Sequence, residues 1–328
     1  MILNIIKMKF AILFPGQGSQ KVGMGKDLLE IDSVKQIFDL ADSISGRNLS
    51  NIWLNGPENE LNQTKNTQIS IVTISAALTT LFKEFLSQKN LDLDPIGCCG
   101  HSLGEFTALW FTNIISIEEL FNLIIIRGNL MQNASEGGML AVLNLNEGTI
   151  KDLLNDKYFN GKFVIANYNT SSQIVLSGDK NLFIALQEKI KNAGGKSIIL
   201  PVGGAFHSPS MEKSSRIFDN ELDKLSKKFT GFTKNPIYQN IDGKPSTDHK
   251  IILEKIKKQM TSSVRWTQTV EYLVKDGVTD VIEIGPGKIL TGLVKKINSA
   301  INCHNINNLS SLNEFIKYYE SANARTRT

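Results

Sequence analysis

Residues 100–105 read Gly-His-Ser-Leu-Gly-Glu and set Ser102 in the spacing Gly-x-Ser-x-Gly. That spacing dictates a local fold. A serine hydroxyl stands clear as a nucleophile only on a sharp strand-to-helix turn, and small residues two positions to either side let the backbone make it. The flanks supply the context. Pro95, Ile96, Gly97, Cys98 and Cys99 read as a short buried strand arriving at the turn, and residues 105–110 contain no Pro or Gly and can begin a helix. With 25 glycines in the chain the spacing alone arises by chance, so the strand before and the helix after carry the weight.

At 328 residues the chain is long enough for one large domain with a smaller one inserted or appended. Hydrophobic residues make up 41% and charged residues 21%, the balance of an ordinary globular protein. The net charge of +4 is too slight to argue for nucleic acid as a partner, although clustered lysines could still steer an acidic one. Cys98, Cys99 and Cys303 are odd in number and two are neighbours in an apolar strand, so a reducing compartment is expected rather than a disulfide framework. The first 14 residues carry Lys7 and Lys9, lack a small-residue cleavage site and are not Arg/Ser-rich, so no signal or transit peptide is expected; Met8 is an alternative start. No uninterrupted apolar run reaches about 18 residues, which predicts no membrane span and a cytoplasmic location.

Strand and helix patterns alternate along most of the chain. Residues 10–14 predict a strand that ends in Pro15-Gly-Gln-Gly-Ser-Gln20. Lys21 occupies the third glycine position of a dinucleotide fingerprint, so that motif is excluded. Two readings of the loop stay open: a plain strand-to-helix connection, or a loop whose backbone and Gln17 approach a ligand. Residues 138–203 differ in texture. The pattern there predicts strands over 139–143, 163–167, 173–177 and 196–200 with helices over 147–157 and 180–192, the β-α-β-β-α-β order of a ferredoxin-like unit inserted in a larger α/β domain. Beyond it, helices are expected over 209–228, 250–260 and 267–275, and strands over 237–240 and 281–284. Gly285-Pro-Gly-Lys288 lacks the spacing of a phosphate loop and reads as another strand-to-helix turn.

A nucleophilic serine needs a base, and there are four histidines to consider. His101 adjoins Ser102, and neighbouring side chains on a tight turn diverge. His249 lies among Lys244, Asp248 and Lys250 in a stretch that reads as solvated, and His304 lies in an Asn-rich region without catalytic context. His207 follows Gly203, Gly204, Ala205 and Phe206 and precedes Ser208-Pro209, at the end of a small-residue loop opening a helix. It is the candidate base, against the alternative of a core histidine with structural bonds. A Ser–His pair oriented by a backbone carbonyl and a full triad both stay open. Arg127 is the second sharp feature. In a helix over 118–133, at about 100° per residue, Glu118, Asn122, Asn129 and Asn133 share a polar sector and Arg127 falls opposite among Leu120, Leu123, Ile124 and Met131. A guanidinium on an apolar face needs an anion, either an acidic side chain or a carboxylate-bearing substrate held by both arms of the fork.

FPGQGSQ (14–20), GHSLGE (100–105), RGNLMQ (127–132), AFHSP (205–209), VRW (264–266) and GPGK (285–288) together resemble the malonyl-CoA:acyl carrier protein transacylase family, in order and over residues 10–310. The resemblance implies an α/β-hydrolase-like core of residues 1–137 and 204–317, a ferredoxin-like subdomain over 138–203, and leaves 318–328 as a flexible tail. It implies that Ser102 takes a malonyl group from coenzyme A and that His207 serves as base and then acid. The backbone N–H groups of Gln17 and Leu103 would form the oxyanion hole, and Arg127 would hold the malonyl carboxylate. Asn169 and the backbone carbonyl of Gln259 would orient His207, and Phe206 would crowd out an α-methyl branch. The expected substrates are malonyl-CoA and the phosphopantetheine of an acyl carrier protein, with no permanently bound cofactor, no metal and no membrane or nucleic-acid partner. The rival activities are a polyketide-pathway acyltransferase and a serine esterase or thioesterase; for the latter, Arg127 has no evident use. The chain departs from the family at Val202-Gly203-Gly204, at Thr170-Ser171-Ser172 and at Ser263, which predicts looser loops there.

Overall fold

The computed structural model describes residues 8–134 and 137–327, so residues 1–7, on which most of the leader-peptide reading falls, lie outside the described residues. Ten strands are present among them: β1 (Phe10–Phe14), β2 (Gly97–Gly100), β3 (Gly138–Leu143), β4 (Phe163–Thr170), β5 (Gln173–Gly178), β6 (Lys196–Ile199), β7 (Phe232–Tyr238), β8 (Pro245–Asp248), β9 (Asp280–Ile284) and β10 (Asn302–Ile306). They form a six-stranded sheet ordered β10-β9-β1-β2-β7-β8 and a four-stranded sheet ordered β4-β5-β3-β6.

The larger sheet is parallel except at its β8 edge. β1 is buried along its whole length, as a central strand covered on both faces requires. Because the strands run the same way, their carboxyl ends share one edge, where β1 delivers Pro15–Gln20, β2 delivers Ser102 and β7 delivers Gln239–Asn240. Ligand crevices of open α/β sheets form on that edge. The helix Thr64–Gln88 runs through the main core with 18 of its residues buried. Its 25 residues are apolar enough on average to cross a membrane, which the search for uninterrupted apolar runs missed because Thr and Ser interleave with Ile, Leu and Val. Here it is a core helix walled in by the rest of the fold. The helix Ile117–Gln132 begins in a capping box in which the Ser116 hydroxyl accepts the Glu119 N–H and the Glu119 carboxylate accepts the Ser116 N–H.

The smaller sheet is antiparallel throughout and carries the helices Glu147–Leu154 and Phe183–Asn192. Its strand alternation serves two cores at once. Leu140, Val142, Ile174 and Leu176 pack with Ile150, Leu186 and Ile190 inside the unit, whereas Met139, Val175 and Ala166 point into the main core. The two units are stitched together where β4 meets the segment before the helix Trp266–Lys275. There Val264 N–H donates to Ala166 O at 2.8 Å, Tyr168 N–H to Val264 O at 2.9 Å, and the Ser263 hydroxyl to Ile165 O at 2.6 Å.

Several expectations need correcting. The stretch 318–328 was expected to be a flexible tail, but the helix Leu309–Arg327 continues through it to Arg327. Leu312, Phe315, Ile316 and Tyr319 form a stripe that packs on the main core, Tyr319 Oη donates to Asp92 O at 2.7 Å, and Lys89 pairs with Glu320. That stripe lies ahead of the polar last eight residues, whose composition alone suggests a frayed end. The helix expected over 209–228 is a helix Glu212–Lys224 flanked by two short 3-10 turns. In the Val202–Gly204 loop a Cβ on Gly204 would stand 2.3 Å from Ala134 O, so only glycine fits at that position.

Candidate active site

The turn at Ser102 is as sharp as its spacing demands. Ser102 takes φ 49°, in the left-handed region. A Cβ on Gly100 would meet the Gly104 carbonyl carbon at 2.0 Å, and one on Gly104 would meet Phe14 O at 2.0 Å, so both flanking positions must be glycine. Backbone strain of this kind costs about 1–3 kcal/mol and persists only where the surroundings enforce it. Asn240 does so from the end of β7. Its Oδ1 accepts the Ser102 N–H at 2.6 Å and its Nδ2 donates to Gly100 O at 2.7 Å.

His207, also in the left-handed region at φ 56°, reaches Ser102 across 105 residues of sequence. Its Nε2 lies 2.7 Å from Ser102 Oγ. Nδ1 donates to Gln259 O at 3.0 Å and Ser262 O at 3.2 Å, which leaves the Nε2 lone pair facing the hydroxyl. Burial first, and then the positive charge of Arg127, push the imidazole down to about 3, against the pull of the two carbonyls. It is therefore neutral at neutral pH, the state in which it can accept the serine proton. No carboxylate touches this ring among the described residues; the orienting groups are carbonyls. From the other side, the Ser177 hydroxyl of β5 donates to Phe206 O and fixes the loop that carries the base.

Arg127 is 1% exposed. Nη1 donates to Gln68 Oε1 at 2.8 Å, and Nη2 donates to Gln259 Oε1 and to Ser102 Oγ, both at 3.1 Å. Its Nε has no hydrogen-bond partner, and no carboxylate pairs with the guanidinium among the described residues. Burial lowers its pKa to about 9, with the Glu105 charge opposing. A buried cation held by neutral amides, one arm on the nucleophile, can receive an anion from a ligand.

These groups line a cavity of about 150 Å³ between the two units, to which Gln17, Gln68, His101, Leu103 and Asn169 also contribute. The Gln17 and Leu103 N–H groups donate to no other group of the protein among the described residues, and Leu103 leads into the helix Gly104–Phe111. Free amides, one in the loop after β1 and one at a helix start, are suited to a developing oxyanion. Met131, Met139, Val175, Leu200, Val202 and Phe206 make the apolar wall.

Asn169 is placed differently from the expectation. Its Oδ1 takes the Nε2 of His101 at 2.9 Å instead of supporting His207. Adjacent side chains diverge on the turn, and the carboxyl end of β4 approaches on the His101 side. His249 lies half-buried beside the exposed Lys244 and Lys250, with both ring nitrogens covered and without a hydrogen-bond partner among the described residues. His304 pairs with Asp280 at 3.0 Å, far from this site in the sheet order. Sequence reasoning missed Gln68, Asn240, Glu105 and the side chain of Gln259. The motif itself contains Glu105, whereas Gln68 follows the polar run 62–67 and nothing in the pattern sets it apart.

Known proteins resemble this chain over most of its length. A family model described as an acyl transferase domain matches residues 11–317. The malonyl CoA-acyl carrier protein transacylase of Staphylococcus aureus is 34% identical over 310 residues, covering 93% of this chain and 97% of that one. That of Bacillus subtilis is 36% identical over 296 residues, covering 88% and 90%. Among solved structures, the malonyl CoA-acyl carrier protein transacylase of Clostridium perfringens superposes with a TM-score of 0.88 at 31% identity, over 98% of this chain and 100% of that one. A malonyl-transacylase solved in complex with a type II PKS acyl-carrier protein superposes with a TM-score of 0.87 at 31% identity, over 94% and 99%. With its serine elbow, its paired histidine and its buried arginine in one cavity, the chain belongs to the malonyl CoA-acyl carrier protein transacylase family.

Proposed function

We propose that this protein moves a malonyl group from malonyl-CoA to the phosphopantetheine thiol of an acyl carrier protein through a malonyl ester on Ser102. His207 Nε2 takes the hydroxyl proton as Ser102 Oγ bonds to the thioester carbonyl carbon. The oxygen of the tetrahedral intermediate gathers its charge against the Gln17 and Leu103 N–H groups, each worth about 2.7–4 kcal/mol in sites of this type. The carbon–sulfur bond then breaks, and His207 returns the proton to the departing coenzyme A thiol. In the second displacement the carrier's thiol gives its proton to His207, its sulfur attacks the ester, and Ser102 recovers its own. Arg127 holds the free carboxylate throughout. Every group the two displacements need is a side chain or backbone amide of this chain.

The observation that carries this reading is Arg127, a buried guanidinium without a carboxylate partner among the described residues, 3.1 Å from the nucleophile. A simple esterase substrate offers it nothing to bind. We further infer an α/β-hydrolase-like core over residues 1–137 and 204–317 and a ferredoxin-like subdomain over 138–203; the supporting features are the strand-turn-helix around Ser102 and the order β4-β5-β3-β6. The test is to incubate the protein with radiolabelled malonyl-CoA and locate the label. Label on Ser102, discharged by an acyl carrier protein, is the expected result; equally strong labelling by acetyl-CoA would overturn the substrate assignment.

A further inference from the structure

Arg127 poses an electrostatic problem. A cation buried this deeply needs a compensating negative charge, yet a carboxylate in direct contact would occupy the fork that the malonyl group is to use. Glu105 resolves the conflict. It is 1% exposed, sits on the helix that follows Ser102, and belongs to the same six-residue motif. Its Oε2 accepts from Gln259 Nε2 at 2.6 Å, and the opposite end of that amide, Oε1, accepts from Arg127 Nη2 at 3.1 Å. Gln259 thus couples anion to cation while keeping them apart. Glu105 Oε1 accepts the N–H of Asn240 at 3.2 Å, the residue whose side chain clamps Gly100 and Ser102.

We propose that Glu105 is a positioning residue that orients the Gln259 amide, with its oxygen toward Arg127 and its nitrogen toward Ser102 O, and so sets the discrimination for acids over neutral acyl groups. The proposal rests on the malonyl-transfer reading and deepens it. Both carboxylate oxygens accept hydrogen bonds, so the geometry uses the ionised form. A protonated carboxyl would point a donor at Asn240 N–H or at Gln259 Nε2, and turning the Gln259 amide to relieve that would present its NH2 to the guanidinium. The groups around Glu105 are Arg127 on the helix Ile117–Gln132, Lys255 on the helix His249–Lys258 and the Cys99 thiol on β2; both cations favour the ionised form. Burial nevertheless lifts the carboxyl to about 7. The ionised form that the network uses is therefore favoured as pH rises above about 7 and depleted as it falls below.

The experiment compares malonyl and acetyl loading of Ser102 in the wild type and in Glu105→Gln, at pH 6 and pH 8. At pH 8, Glu105→Gln is expected to lower the malonyl-to-acetyl ratio by about tenfold, the value of one charge-assisted contact. The wild-type ratio should fall between pH 8 and pH 6, and the Glu105→Gln ratio should not change. The wild-type pH dependence needs no substitution, so it reads the network even if the variant folds poorly. Parallel losses of both substrates in the variant, or a pH-independent ratio in the wild type, would overturn the proposal. A pair of serine-reactive phosphonates, with and without a carboxylate, repeats the comparison without any coenzyme A substrate. If the wild type takes no malonyl, the functional reading fails, and the phosphonate ratio still decides on Glu105.

Discussion

The loops at the carboxyl edge of the parallel sheet and the antiparallel insertion meet at one cavity, but they are built on opposite principles. The insertion is regular: its strands alternate cleanly, its hydrogen bonds run in unbroken ladders but for the irregularities in the β4–β5 pair, and its core closes on itself. The sheet-edge loops are irregular. They hold Ser102 in the left-handed region between glycines pressed against backbone carbonyls, the loop after β6 holds His207 in the same region, and Arg127 reaches in from the helix Ile117–Gln132 with no carboxylate partner among the described residues. Backbone strain and a buried cation coincide around the reacting atoms, and the regular unit provides walls and support. The core therefore supplies the chemistry and the insertion its boundary.

The largest expected effect tests the first half of that division. Ser102→Ala should eliminate the acyl-enzyme seen by intact-mass spectrometry, with transfer reduced by about 10⁴-fold or more. Acyl label on Cys98 or Cys99 would show that the strand before the elbow, and not the elbow, is reactive. Next comes His207→Ala, which should slow both displacements by about 10²–10⁴-fold. Because the folded imidazole is held near 3, well below its usual value, it stays a base as pH falls through 6.5 and fails only on approach to about 3. A profile of kcat/KM for acetyl loading should thus show no acid limb at 6.5, and a tenfold loss per pH unit there would contradict the burial argument. The same depression means that the unfolded chain binds a proton that the folded one refuses between those two values, so this residue's contribution to stability declines as pH falls through that window.

Arg127→Ala separates the substrates. Loss of charge-assisted bonds worth about 1.5–3 kcal/mol should cut malonyl transfer by roughly 10- to 100-fold. Acetyl transfer should hold steady or rise, and equal losses would make Arg127 structural. The smallest effect belongs to the insertion. Ser177→Ala removes the bond to the Phe206 carbonyl, and a single neutral hydrogen bond predicts about 1 kcal/mol of stability and a loss of a few-fold in kcat. If Ser177→Ala or Asn169→Ala matched His207→Ala in severity, the separation of chemistry from boundary would collapse.

What could be read beforehand follows the same division. The insertion was legible almost strand by strand, because alternation is a local pattern that survives in composition. Ser102, His207 and Arg127 were legible for a different reason: each breaks a local rule, as a serine between glycines, a histidine after a small-residue loop and a cation on an apolar face. Gln68, Asn240 and Glu105 break no rule that stands out. Their roles exist only through partners 59, 138 and 154 residues away, a kind of information that spacing does not hold. Asn169 was misassigned for a related reason, since sequence order could not say which of two histidines β4 would approach.

The loop bearing His207 is gripped by Ser177 of the insertion at the Phe206 carbonyl and by the Gln259 and Ser262 carbonyls of the core at the imidazole. The two units resemble interchangeable modules, but the base, which lies in the core's own stretch of chain, is held by both. A chimera that joined this core to the insertion of a distant relative would keep two intact sheets and two intact cores, and would still misplace the one nitrogen on which both displacements depend. The seam of β4, β5 and residues 259–264 is thus expected to act on catalysis as well as on packing, however independent the two halves look in outline.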